Sequence, residues 1–102
     1  MEVKLTKDNY AQVVEQAEKP VLIDFFATWC GPCMMLAPFV EKLSNERDDI
    51  VVCKVNVDEE EELAVKFGVN VIPTLALVKD GKVAKKAQGY MEYADLDAFA
   101  RG

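Results

Sequence analysis

Two cysteines stand three positions apart in Trp29-Cys30-Gly31-Pro32-Cys33, with glycine and proline between them. Sulfurs at that spacing can close a small ring, because a disulfide needs its Cα atoms within about 4.4–6.8 Å. An apolar run precedes them and an apolar, helix-like stretch from Met34 to Leu43 follows, so both fall at a strand-to-helix turn. The start of a helix offers unpaired backbone N–H groups and partial positive charge, and both favour a thiolate. Such a pair can attack a disulfide in another molecule through one sulfur and release the product with the other. Cys30 is predicted at the exposed mouth of the turn as the attacking sulfur. Cys33, one turn further in, is predicted to be more buried and to act second. Between them, Gly31 leaves room for another backbone to approach. Pro32 fixes φ in the first helical turn, where its missing N–H costs nothing.

Asp24 is the second chemical candidate. It lies inside the run Val21-Leu22-Ile23-Asp24-Phe25-Phe26, with Leu22 and Phe26 as its same-face neighbours if that run is a strand. A carboxylate there is desolvated, which raises its pKa and suits it to accept a proton. The alternative is an aspartate that reaches solvent or caps a nearby backbone group. Lys54, a charge inside the other apolar run, either pairs with Asp24 or simply faces solvent.

The elements that must position these groups are legible in order. Val3-Lys4-Leu5 is a short strand. Thr6 is placed to cap a helix whose buried stripe is Tyr10, Val13, Val14 and Ala17, and Pro20 ends it. Residues 21–26 show almost no polar alternation and read as a fully buried central strand. In the helix after the cysteines, Leu36, Phe39, Val40 and Leu43 face inward. Pro38 lies within it and predicts a kink rather than a restart, because the apolar pattern continues in register. Residues 50–57, rich in β-branched side chains, form a second core strand. Asp58 is placed to cap the next helix, with Glu61 three positions on and Gly68 closing it. The five acids from Asp58 to Glu62 suit a helix N-terminus for dipole reasons alone. Leu75–Val78 and Val83–Ala87 flank Lys79-Asp80-Gly81-Lys82, an Asp-Gly hairpin signal. A last helix from about Tyr93 turns Leu96 and Phe99 inward. The order β-α-β-α-β-α-β-β-α predicts an α/β fold with one mixed sheet, partly parallel and ending in an antiparallel hairpin, with helices on both faces.

The 102 residues fit one domain spanning 1–102, with one real core. A hydrophobic share of 51% beside 29% charged residues fits a soluble globular chain rather than a disordered one. A net charge of −6 gives a nucleic-acid role no electrostatic footprint. No apolar run approaches the roughly 18 residues that would span a bilayer. The start, Met1-Glu2-Val3-Lys4, lacks the layout of a signal peptide, so the chain reads as cytoplasmic. Three cysteines make an odd count, which argues against a secreted disulfide scaffold. The absence of histidine removes Cys/His nucleophile pairs and every Cys-plus-His metal site.

Taken together, Trp29-Cys30-Gly31-Pro32-Cys33, Asp24, Pro38, Lys54, Ile72-Pro73-Thr74 and Gly89 resemble the thioredoxin family in kind and spacing over nearly the whole chain. The resemblance implies the thioredoxin fold and a monomeric protein-disulfide reductase with no cofactor of its own. Its redox disulfide would join Cys30 and Cys33, tuned by Gly31 and Pro32. Its electrons would come from a thioredoxin reductase, and its substrates would be disulfide-containing target proteins. It further implies a cis Pro73 packed beside the sulfurs and an Ile72 backbone that pairs with a bound segment. Trp29, Ile72 and Gly89 would form an apolar docking surface around Pro73. The resemblance also implies that Asp24, with Lys54 as its partner, would deprotonate Cys33 through a water; the residues alone leave that route open.

Three positions depart from the family pattern. Phe26 stands where many thioredoxins have tryptophan, which removes a fluorescent reporter but keeps the packing role. Met34 follows Cys33 where a charged residue is common, making the rim more apolar. Cys53 is extra and, within a core strand, reads as an inert small apolar residue. Among relatives of the fold, a Cys-Pro-Tyr-Cys turn would point to glutaredoxin and a histidine in the turn to an oxidising exchanger; neither is present. Two readings from other classes compete. Cys30, Cys33 and Cys53 could hold zinc or an iron–sulfur cluster, although a closed zinc site wants four ligands. A non-catalytic module could also use the apolar rim to hold a partner.

Overall fold

The computed structural model describes residues 1–102. Five strands, β1 (Glu2–Lys4), β2 (Val21–Phe26), β3 (Val51–Asn56), β4 (Thr74–Lys79) and β5 (Lys82–Gln88), form one sheet in the order β1-β3-β2-β4-β5. Strands β1 and β2 run parallel to β3, whereas β4 is antiparallel to both β2 and β5. The helices are α1 (Gly31–Glu46), α2 (Glu61–Lys66) and α3 (Tyr93–Ala100). This is the mixed, helix-covered α/β sheet that the element order predicts.

Alternation along the strands decides which helices cover which face. Val21, Ile23 and Phe25 of β2 join Cys53 and Val55 of β3 and Ala76 and Val78 of β4 in one core layer. Leu63 and Phe67 close that layer from α2, and Val14 closes it from the segment between β1 and β2. Leu22, Val52, Leu75 and Leu77 face the opposite way, against Leu36, Val40 and Leu43 of α1 and Leu96 and Ala100 of α3. Strand β2 is therefore buried on both sides, as its unbroken apolar run requires.

Two local readings need adjustment, and one about Pro38 stands. The segment after Thr6 is no ordinary α-helix: Ala11–Glu15 is a π-helical turn, with the Gln16 N–H bonded to the Ala11 carbonyl at 2.9 Å. Thr6 does not cap it, because Tyr10 holds the cap position without a side-chain bond; Thr6 instead pairs reciprocally with Asn9 across the preceding turn, while Tyr10, Val13, Val14 and Ala17 pack on the core as predicted. Asp58 does not cap α2, because that helix begins only at Glu61 and Glu60 occupies the cap position without a side-chain bond. A turn at residues 57–59 intervenes and turns the Asp58 carboxylate toward Trp29 instead. Helix α1 runs through Pro38 as one element, so it does not restart there.

The hairpin forms as its Asp-Gly turn dictates, with Asp80 at φ 53° and Gly81 at φ 76°. Gly68, at φ 65°, follows α2 as expected of a helix-closing residue.

Phe25 has no exposed surface and packs against Phe67 with ring centroids 5.1 Å apart. Phe25→Ala is expected to lower unfolding free energy by about 3–5 kcal/mol, through lost burial plus the cavity left behind. Guanidinium unfolding followed by circular dichroism measures the loss.

Candidate active site

Strand β2 ends at Phe26, and five residues later α1 begins. Cys30 is the residue that caps α1, in extended backbone conformation (φ −92°, ψ 113°). Its Sγ accepts the Cys33 N–H at 3.2 Å, so the sulfur satisfies one of the unpaired donors of the first helical turn. Cys30 and Cys33 are joined as a disulfide, with Cα atoms 5.2 Å apart. Pro32 stands in the first turn, where no hydrogen bond is lost, and Gly31 has open space where a Cβ would project.

Cys33 is 1% exposed, in keeping with its predicted burial. Cys30 is less open than predicted, at 5% exposure. Its predicted exposed mouth is corrected by its neighbours: the disulfide packs against Ala27, Phe26, Val57 and Ile72, and the Ile72 carbonyl oxygen lies 3.8 Å from Cys30 Sγ. The Ile72–Pro73 peptide is cis and Pro73 is buried. Gly89, at φ 89°, donates its N–H to the Pro73 carbonyl at 2.8 Å, which brings the start of the last loop to the same place.

Trp29 projects outward, 72% exposed, and its indole N–H donates to Asp58 Oδ2 at 2.8 Å. With Val57, Val69, Asn70 and Ile72 it lines a shallow depression beside the disulfide. Met34 and Met35 of α1 are 43% and 61% exposed, and Val71 is exposed next to Ile72. Met35, Val71 and the Asp58 anchor were absent from the sequence-derived site. Met35 was discoverable from helical spacing, since it falls off the stripe of Cys33, Leu36, Val40 and Leu43. Asp58 was not, because only the fold brings it to Trp29.

Asp24 is 1% exposed, and no group donates to its buried Oδ1. It neither reaches solvent nor caps a backbone group through that oxygen. Burial pushes its carboxyl up to about 7, while Lys54 pulls it down and Glu2 raises it further. Lys54 is directly opposite Asp24 in the register of β2 and β3. The two form no ion pair within 4 Å; the Lys54 ammonium lies 4.5 Å from the centre of the Phe26 ring. Their coupling is thus through space and comparatively weak. Cys53 has no exposed surface, and burial pushes its thiol up to about 12. It stands apart from the disulfide in the core layer on the far side of the sheet.

A family model described as Thioredoxin matches residues 1–102. The chain is 45% identical over 95 residues to a protein named Thioredoxin from Alicyclobacillus acidocaldarius, covering 92% of this chain and 90% of that one. It is 41% identical over 98 residues to a Pseudomonas aeruginosa Thioredoxin, covering 95% and 91%. It is 48% identical over 88 residues to a Mycobacterium tuberculosis Thioredoxin, covering 85% and 76%.

Two outcomes are expected. A carboxyl that ionises near 3.8 unfolded and about 7 folded leaves stability unaffected below about pH 4, where both states hold the proton. As pH rises toward 7 the unfolded state ionises first, and the resulting destabilisation reaches roughly 4 kcal/mol above pH 7. Asp24→Asn is therefore expected to stabilise the fold by that order at pH 8 and hardly at all at pH 4, as read by urea unfolding at both values. Iodoacetamide should leave Cys53 unmodified in the native protein at pH 8 and label it once guanidinium unfolds the chain, as mass spectrometry will show.

Proposed function

The chain belongs to the thioredoxin family and is a protein dithiol–disulfide oxidoreductase; from that premise we propose how its residues divide the reaction. The observation that carries the proposal is Cys30 Sγ at the head of α1, bonded by the Cys33 N–H, with a buried carboxyl on the adjoining strand.

In the reduced protein Cys30 is the nucleophile, because the helix N-terminus stabilises its thiolate. The thiolate attacks one sulfur of a target disulfide. A Cys30–target disulfide forms, the target S–S bond breaks, and the first target thiolate leaves and takes a proton from solvent. Cys33 then gives its proton to Asp24 and attacks Cys30 Sγ. The Cys30–Cys33 bond forms, the mixed disulfide breaks, and the second target thiolate leaves, its proton supplied by Asp24. Two electrons pass from the protein to its target.

Lys54 tempers the basicity of Asp24 through its charge. Gly31 and Pro32 hold the pair in a turn short enough to close. Trp29, Ile72, Pro73 and Gly89 receive the target segment, with the Ile72 backbone as its pairing partner. Met34 and Met35 extend the rim, and exposed methionines adapt to varied apolar surfaces.

Thioredoxins act with thioredoxin reductase and with disulfide-bearing proteins in general. We propose that this chain does so as a monomeric single domain in the cytoplasm, with a thioredoxin reductase returning its two electrons. No helix is long and apolar enough to cross a membrane. A reducing compartment is where a dithiol donor can be kept charged.

Cys30→Ser is expected to abolish reduction of insulin disulfides in the presence of dithiothreitol. Cys33→Ser is expected to retain the first attack and accumulate a mixed disulfide with its target, visible on a non-reducing gel. A Cys30→Ser protein that still turned over would overturn the assignment of the nucleophile.

A further inference from the structure

The buried face of the sheet beneath α1 carries a second carboxylate. Glu2 lies on the edge strand β1, whose register sets Glu2 beside Val52 and Lys4 beside Lys54. Asp24 stands on the other side of Lys54, on β2. Alternate residues of a strand share a face, so Glu2, Lys54 and Asp24 project from the same side of three adjacent strands. Glu2 Oε2 and Asp24 Oδ1 are the two buried side-chain polar atoms in the protein that no group satisfies. A cavity of about 400 Å³ opens beside Glu2, lined by Glu2, Lys4, Phe26, Lys54 and Glu59 among others. That volume and its polar lining are ample for several water molecules.

We propose that Glu2 is a positioning residue for the thiol–disulfide reaction, acting through Asp24: the two carboxylates share the Lys54 ammonium, and the charge on Glu2 governs how readily Asp24 takes and returns the Cys33 proton. The inference rests on Asp24 being the base for Cys33.

The surrounding charges leave Lys54 as the shared cation. Lys4 is drawn outward by Glu59 at 3.5 Å. The Met1 ammonium donates to the Ser44 carbonyl at 3.1 Å. Facing Asp24 are Lys54 from β3 and Glu2 from β1; β4 sets Leu75 opposite it and no titratable group. Facing Glu2 are Lys54, Glu41 of α1 and the Met1 ammonium. Burial raises the Glu2 carboxyl, Lys54 opposes that rise and Glu41 adds to it. Glu2 raises Asp24 in turn, and Lys54 lowers both, so the carboxylates respond to the same cation and one of them to the other. Neutralising Glu2 removes a repulsion from ionised Asp24 and frees Lys54 to act on Asp24 alone. Both effects make Asp24 ionise at lower pH.

The test is a carbon-13 carboxyl titration of Asp24 in the oxidised protein, paired with the pH dependence of thiol release from a mixed disulfide preformed at Cys30. Glu2→Gln should move the Asp24 midpoint down by roughly half a pH unit or more, and carry the rising limb of the release profile with it. Glu2→Val, suited to a strand, should do the same, and Glu2→Asp should restore most of the original position. In an Asp24→Asn background, Glu2→Gln should leave the release profile where it was. A folded Glu2→Gln or Glu2→Val protein with midpoint and limb both unmoved overturns the role of Glu2, while loss of the limb in Asp24→Asn alone keeps Asp24 as the base. A limb that survives Asp24→Asn overturns the assignment of Asp24, and the inference falls with it.

Discussion

Burial of both faces of β2 is the constraint on which the site depends. A strand packed between two layers of side chains has neither room to shift register nor a solvent-facing side on which to relax. Whatever it carries is held in place, and the turn at its end inherits that rigidity. Asp24 occupies one inward position of this strand, on the face whose core is built largely of leucines and valines. Its burial is costly, and the apolar contacts of the rest of β2 offset that cost.

The second contribution comes from the helix that follows. α1 begins within a few residues of a fixed strand end, so its first N–H groups point to a defined place. Cys30 fills the cap position with sulfur where serine or aspartate would ordinarily supply oxygen. The capping bond from the Cys33 N–H ties the two cysteines together through the backbone as well as through their sulfurs. A loop 42 residues further along the chain, Ile72-Pro73, then covers the pair and leaves it nearly closed to solvent in the oxidised state. Covering suits the oxidised form, which has finished its reaction; the neighbouring rim of Trp29, Met34 and Met35 stays exposed.

Electrostatics beneath the helix is a matter of shared rather than paired charge. Lys54 stands opposite Asp24 without an ion pair, and its ammonium lies against the Phe26 ring. A tight salt bridge would have pulled the carboxyl down and made it a poor base near neutrality. Distance and the competing carboxylate of Glu2 leave desolvation dominant, so Asp24 stays poised near the pH at which thiols exchange protons. Phe26 serves this arrangement as well as the packing of the disulfide.

Much of this was written in local sequence. The apolar run of residues 21–26, the Asp-Gly turn at 80–81 and the cysteine spacing each depend on neighbours a few positions away, and each formed as read. Periodicity put Asp24 on a doubly buried strand but left open whether its carboxyl reached solvent, and only the fold buried it to 1% exposure. What proximity along the chain could not supply was decided by tertiary structure. The π-helical turn at Ala11–Glu15 and the late start of α2 at Glu61 were not legible in the capping residues Thr6 and Asp58. The closure of Cys30 depends on Ile72, the tether of Trp29 on Asp58, and the charge facing Asp24 on a glutamate from the edge strand. Those contacts span roughly twenty to forty residues of chain, and a pattern read within one element holds no information about which groups a folded sheet sets side by side.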